Sequence, residues 1–446
     1  MYQVFLLIAS VVILILLITK FHLHAFLSLL IVSLGLGLAS GMDLLEVSTT
    51  VAKGFGGTMQ YIGIVIVCGV VMGEVLEQTG AAQKIANSIL KLVGIKRAPV
   101  ASAITGAVVS IPTFCDSGFV ILNPVIKAIS KVGKIPYMVL VTALMCGLLT
   151  THTLVPPTPG PIAAAGILGA DVGTVMIYGI IISIVVVGGT TIFWCNSKFI
   201  KSHYPELADS ETLDEESEKD FEEKVKNAPA TFLCYLPIIV PILLIIIRSF
   251  VLMYASDPNV GFAKFIQFVG TPYIALLLGC LISFILPKKL NEEVTNTWVS
   301  NAIQKSAEIL LITGVAGCFG KILQATGVSN IIAEIISSTS LPGVLLPFLV
   351  SSLVLIAQGS ATVALTTTAA IMVPLLGALG ISPELAVISI AAGGMCGVFP
   401  QGSYFWAVTK LAGFDMKKGY VAVTATSFVM GGFALVSVLI LSLFVA

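Results

Sequence analysis

The residue types able to do chemistry in this chain are gathered in four short stretches. In SIPTFCDSGF, Ser110 to Phe119, a single acid, Asp116, lies inside a long apolar region between Pro112 and Gly118, which both weaken a helix. An acid at membrane depth is costly and is a functional candidate by default. Asp116 can bind a coupling proton, a cation or a substrate hydroxyl. It can also cap a helix starting near Ser117, since Asp suits that position and its charge suits a helix amino end. The second stretch, QGSATVALTTTAA from Gln358 to Ala370, has no acid. There Gly359 permits a sharp turn, and Ser360, Ala361 and Thr362 open a helix whose free N–H groups suit an anion. Thr366, Thr367 and Thr368 read as packing residues.

The third stretch is TTHTLVPPTPGP, Thr150 to Pro161. His152, between Thr151 and Thr153, titrates near neutrality and can pass protons or bind hydroxyls; the other reading is a hydrogen-bonded interior histidine. Pro156, Pro157, Pro159 and Pro161 are expected to end a span and leave an extended segment. In the fourth stretch, FPQGSYFW from Phe399 to Trp406, Pro400 and Gly402 break a helix while Gln401, Ser403 and Tyr404 supply polar groups. Tyr404 and Trp406 suit a membrane interface. The candidate binding set is therefore Thr113, Cys115, Asp116, Ser117, Gly118, Thr151, His152, Thr153, Gly359, Ser360, Ala361, Thr362, Gln401 and Ser403, with Asp116 and His152 as ion-coupling residues. Glu74, Glu77, Glu308 and Lys321 lie toward span ends and read as snorkelling or structural pairs.

These stretches need an apolar scaffold, and the composition supplies one. The 446 residues are 57% hydrophobic and only 10% charged, against about a quarter charged in soluble domains. The expectation is a polytopic all-α membrane protein. Equal numbers of basic and acidic residues, 23 each, leave no polyelectrolyte signature for nucleic acid. The eight cysteines are scattered singly, so neither a metal site nor a disulfide framework is indicated, and no cofactor is expected. The first 20 residues lack a basic leader and a small-residue cleavage site and read as a retained span.

With about 20 apolar residues per span, full crossings fit roughly residues 4–20, 24–40, 58–78, 137–155, 173–195, 231–252, 270–287, 305–324, 383–400 and 418–445. Two apolar regions, near 98–130 and 341–378, are each interrupted by small and polar residues. Unpaired backbone cannot face lipid, so each reads as a re-entrant helical hairpin with its tip against protein or a wet cavity. The polar stretch 196–230 reads as a cytoplasmic linker between two halves, 1–195 and 231–446. The halves align at an offset of roughly 245–250 residues, EVLEQTGAAQKIANSI with KILQATGVSNIIAEII and GKIPYMVLVTALMCG with GISPELAVISIAAGGMCG.

Five crossings per half force the second half to be inverted. With both termini outside, about four fifths of the basic residues fall in the cytoplasm. The exceptions are Lys53, Arg248, Lys264 and Lys321. Two inverted repeats with facing tips are the architecture of an alternating-access carrier.

At these motifs the sequence resembles the gluconate permease (GntP-type) symporters. The likeness runs the whole length, through HAFLSLLIVSLGLGLASGM, GFGGTM, DSGFVIL, THTLVPPTPGPIAA, GSATVALTTTAAI, GISPELAVISI and YFW. The resemblance implies proton-coupled uptake of sugar acids such as gluconate, relatives that carry D-serine or glycerate, a scaffold that often dimerises, and the inner membrane of a bacterium. The chain departs from the gluconate carriers where they have Glu-Val-Gly (here Asp116, Ser117, Gly118), PPHPGP (here Thr158 replaces the histidine) and His-Val-Asn-Asp (here FPQGS). These changes remove histidine side chains and an acid of the second half, and a smaller hydroxy acid such as glycerate fits them.

The expected function is a symporter for a small hydroxylated carboxylate, coupled to protons. The alternative is sodium coupling, or D-serine as cargo, with tip carbonyls, Ser117 and Ser360 as cation ligands. An intramembrane enzyme would need a nucleophile–base pair, a GxGD motif or HExxH, and none is present. A passive channel is disfavoured by the repeat.

Overall fold

The computed structural model describes residues 2–94, 97–208, 223–254, 261–326, 342–400 and 402–445. Gln401, residues 209–222 of the linker and the 327–336 part of the repeat match lie outside the described residues. The described chain is helical. The first half contains α1 (Tyr2–Thr19), α2 (Ala25–Ala39), α3 (Leu44–Gln78), α4 (Ala81–Val93), α5 (Ala98–Val109), α6 (Cys115–Gly133), α7 (Tyr137–Leu154), α8 (Pro159–Leu168) and α9 (Val172–Gly189), which runs on in π geometry to Cys195. The second contains α10 (Thr231–Tyr254), α11 (Gly261–Val269), α12 (Pro272–Ser283), α13 (Val299–Ala325), α14 (Leu345–Gln358), α15 (Ala361–Met372), α16 (Pro383–Gly393), α17 (Ser403–Leu411) and α18 (Thr426–Val445). Among the described residues, five segments are long and apolar enough to cross a bilayer unaided, and α11 with α12 passes only as a pair bent by 66°.

Small residues set the packing, as expected where lipid offers no hydrophobic drive between helices. A Cβ on Gly147 of α7 would lie 1.9 Å from the Ala103 carbonyl oxygen of α5, and one on Gly317 of α13 would lie 1.9 Å from Oγ1 of Thr58 on α3. Along α7 every residue is buried, so this helix is the core of the molecule rather than a lipid-facing span.

The interruptions follow local chemistry. Between α5 and α6 the chain turns at Ser110–Phe114, and Thr113 Oγ1 donates to the Val109 carbonyl oxygen at 2.7 Å, satisfying one end of α5. Gly73 of α3 lets this turn come close, because a Cβ there would sit 2.3 Å from the Pro112 oxygen. Between α14 and α15, Gly359 adopts φ +82° and Ser360 caps α15 through the Val363 N–H at 3.4 Å. A left-handed residue at this position favours glycine.

Three expectations change. The proline run after α7 is not extended beyond a short turn. Pro156–Pro157 is a cis bond, and α8 restarts at Pro159, because proline fits the first helical turn. The expected span 270–287 holds only the 12-residue α12, broken from α11 where Pro272 starts a new helix. The expected span 383–400 is helical only to Gly393; Gly394, Gly397 at φ +94° and Pro400 carry the chain unwound to α17.

Candidate functional site

The four chemistry-bearing stretches meet around one cavity of about 510 Å³, a size suited to a small molecule. The α5–α6 turn contributes Phe114, Cys115, Asp116 and Ser117. The α14–α15 turn contributes Gly359, Ser360, Ala361, Thr362 and Val363. His152 and Leu149 come from α7, Ser403 and Tyr404 from α17, and Lys305, Glu308, Ile309 and Ile312 from one face of α13. Leu355 and Val398 complete the wall.

Three helices begin at this wall. α6 starts at Cys115, α15 at Ala361 and α17 at Ser403. Neither α6 nor α17 has a side-chain cap on its first turn. The first N–H groups of a helix have no partner within it, and each amino end carries a partial charge of roughly +0.5. The cavity therefore offers three donor-rich, electropositive ends without an arginine.

Asp116 lies in the first turn of α6, after Cys115, so it does not cap a helix that starts near Ser117. Its Oδ2 accepts a hydrogen bond from Ser403 Oγ at 3.3 Å, which ties α6 to α17. Its Oδ1 is buried with no partner among the described residues. Nδ1 of His152 is likewise buried and unpartnered there, and the ring packs against Phe114 with centroids 6.1 Å apart. An orphaned polar atom at such a site costs roughly 1–3 kcal/mol, so two in one wall mark groups that a ligand or ion can satisfy.

Nine of the residues singled out in the sequence line this wall: Cys115, Asp116, Ser117, His152, Gly359, Ser360, Ala361, Thr362 and Ser403. Of the other five candidate binding residues, Gln401 lies outside the described residues and four lie behind the wall or elsewhere. Thr113 is held at the end of α5. Gly118 leaves room for Leu148, whose Cδ2 lies 2.4 Å from where a Cβ would be. Thr151 Oγ1 donates to the Ala107 oxygen at 2.7 Å and faces an apolar groove between α5, α7 and α9. Thr153 donates to the Leu149 oxygen at 2.9 Å.

Sequence reasoning missed Lys305 altogether and left Tyr404 open between a polar group at the break and an interfacial aromatic; it lines the cavity. Tyr404 is buried at 5% exposure, its hydroxyl donating to the Met145 oxygen at 3.3 Å. Trp406 is 38% exposed, its Nε1–H donating to the Pro400 oxygen at 2.7 Å and Lys410 Nζ lying 5.4 Å from its ring centroid. Glu308 lines the cavity mouth and meets His24 Nε2 at 3.2 Å. Glu74 is paired, as expected, and its partner is Lys305. The missed signal is periodic: Lys305, Glu308, Ile309 and Ile312 fall on one helical face.

Away from the cavity, an ion-pair cluster joins α9 to α10. Asp171 caps α9 through the Thr174 N–H at 2.8 Å, accepts from Ser249 Oγ at 2.8 Å and meets Arg248 Nη1 at 3.2 Å. Burial alone would push its carboxyl up, but the Ser249 and Thr174 hydrogen bonds and the Arg248 charge outweigh this and hold it below the usual carboxylate range.

Comparison with known proteins covers nearly all of the chain. Residues 2–444 match the family described as GntP family permease. An uncharacterized permease of Haemophilus influenzae is 36% identical over 98% of this chain and 91% of its own length. The high-affinity gluconate transporter of Escherichia coli K12 is 30% identical over 89% of each chain, and the D-serine transporter DsdX of Escherichia coli O6:H1 is 28% identical over 98% and 97%. Two solved structures share the fold. The YdaH transporter of Alcanivorax borkumensis superposes with TM-score 0.67 over 94% of this chain and 98% of its own at 14% identity. MtrF of Neisseria gonorrhoeae does so with TM-score 0.66 over 89% and 83% at 16% identity.

Proposed function

The chain belongs to the GntP permease family, and from that premise we propose that it is a secondary active symporter importing a small hydroxylated carboxylate with protons. The family is one of transporters rather than enzymes, and the apolar helices make the chain a multi-pass membrane protein. The observation that carries the substrate class is the convergence of three helix amino ends on one cavity beside an acid with an unpartnered oxygen. The amino ends suit a carboxylate. Asp116, Ser117, Ser360, Thr362 and Ser403 suit its hydroxyls. Relatives named for gluconate and D-serine support the same class, with gluconate, glycerate and D-serine as the substrates to test.

Asp116 and His152 are the proposed proton carriers, since each presents at this wall a buried polar atom with no partner among the described residues. The mechanism is alternating access between two inverted halves, 1–195 and 231–446, joined by the cytoplasmic linker 196–230. The element order supports this reading, because each half contains two helices joined by a tight turn and then a broken helix. The distribution of basic residues favours both termini outside, in the inner membrane of a bacterium, and the exposed side of the cavity, at Lys305 and Glu308, would then face the cytoplasm. A homodimer follows from the family resemblance. A second reading, sodium coupling, draws on the Ser117 and Ser360 hydroxyls beside Asp116 in the same wall.

A binding screen tests the substrate class. Purified protein should gain thermal stability with gluconate, glycerate or D-serine and not with uncharged sugars of similar size, because bound ligand stabilises the folded state by mass action. Stabilisation by neutral sugars alone would overturn the carboxylate reading.

A further inference from the structure

We infer that Lys305 grips the substrate carboxylate at the cavity mouth and that Glu74 sets the strength of that grip. The inference rests on the proposed carboxylate cargo and adds a binding residue and its regulator. Lys305 is the one basic side chain lining the cavity among the described residues, apart from His152. It shares a helical face with Glu308, Ile309 and Ile312, so the stem is directed along the wall.

The ammonium is not free. It is bonded to Oε2 of Glu74 on α3, whose side chain is 3% exposed while that of Lys305 is 46% exposed. Oε1 of Glu74 accepts from Gln78 Nε2 at 3.0 Å, so both oxygens of the acid are engaged and the acid is fixed. Glu77 adds a second negative charge that Lys305 feels. A lysine ammonium has three donors, and Glu74 takes one. Two remain for an anion entering the cavity, at the cost of sharing charge with Glu74.

This arrangement suits a carrier. An unpaired lysine beside three helix amino ends would hold a carboxylate tightly and slow its release. A lysine already neutralised by a buried acid attracts the anion weakly enough to let it go. Glu74 is thus a positioning residue that tunes affinity, and Lys305 a binding residue.

Calorimetric dissociation constants and melting temperatures of the purified full chain test this, with gluconate, glycerate and D-serine as probes. Lys305→Gln should raise Kd about tenfold or more, and Lys305→Arg should restore most of the affinity. Glu74→Gln should lower Kd severalfold. The pair Glu74→Gln with Lys305→Gln, which leaves no lone buried charge, should regain the melting temperature of the parent while keeping the weak binding of Lys305→Gln. An unchanged Kd in Lys305→Gln, or a double variant that regains affinity together with stability, would overturn the inference and leave the proposed function standing. A parent protein that binds none of the three probes would overturn both.

Discussion

Asp116 spends one carboxylate oxygen on Ser403 and keeps the other buried, with no partner among the described residues. A side chain in that state is costly unless something occupies it during the working cycle. If the occupant is the coupled proton, Asp116→Asn should abolish accumulation against a gradient while exchange of substrate for substrate persists. Unchanged uphill uptake by the variant would remove Asp116 from coupling. Ser403→Ala should have a milder effect, a change of a few fold in affinity, since it removes one neutral donor worth roughly 1 kcal/mol. Residues of this kind were legible in the sequence because a polar group in an apolar run has few other reasons to exist. Lys305 was not, because a charge at the end of an apolar run is what any span shows, and only folding reveals that its face lines a cavity. Tyr404 was named but stayed open, because aromatic residues after a break also suit an interface.

At the scale of elements, the site depends on how closely α5 can approach α7, since α5 leads into the tip that carries Asp116 and α7 itself carries His152. Gly147→Ala should therefore destabilise the protein by about 1–3 kcal/mol through overpacking against Ala103. Gly432→Ala on α18, where nothing lies within 4 Å of the added carbon, should be neutral or slightly stabilising. Melting temperatures of the two variants check the contrast, and equal shifts would contradict it. The interrupted regions near 98–130 and 341–378 were readable because proline, glycine and small polar residues punctuate long apolar runs. The early end of α16 and the split between α11 and α12 were not. Apolar composition alone cannot distinguish a continuous span from two short helices meeting at a Gly-Thr-Pro turn.

At the scale of the molecule, the clamp of Asp171 with Ser249 and Arg248 ties α9 of the first half to α10 of the second. Its carboxyl is held below the usual range, so its contribution to stability is full above the unfolded value of about 3.9 and is lost as pH falls through the lower folded value. Melting temperature should drop between about pH 4 and pH 2. Asp171→Asn, which keeps the capping oxygen, should flatten that drop, while Asp171→Ala should cost about 1 kcal/mol at neutral pH through loss of the cap. A pH profile identical in Asp171→Asn and parent would place the acid sensitivity elsewhere. Orientation is tested separately: alkaline phosphatase fused after Ala446 should be active if the carboxyl terminus lies outside.

The account stands on a proton gradient driving a carboxylate through the cavity at Asp116. The direct measurement is uptake of labelled gluconate or glycerate into sodium-free proteoliposomes with an acidic exterior. The account predicts accumulation above the external concentration that vanishes when a protonophore is added. Uptake that ignores the proton gradient and appears only with inward sodium would contradict it.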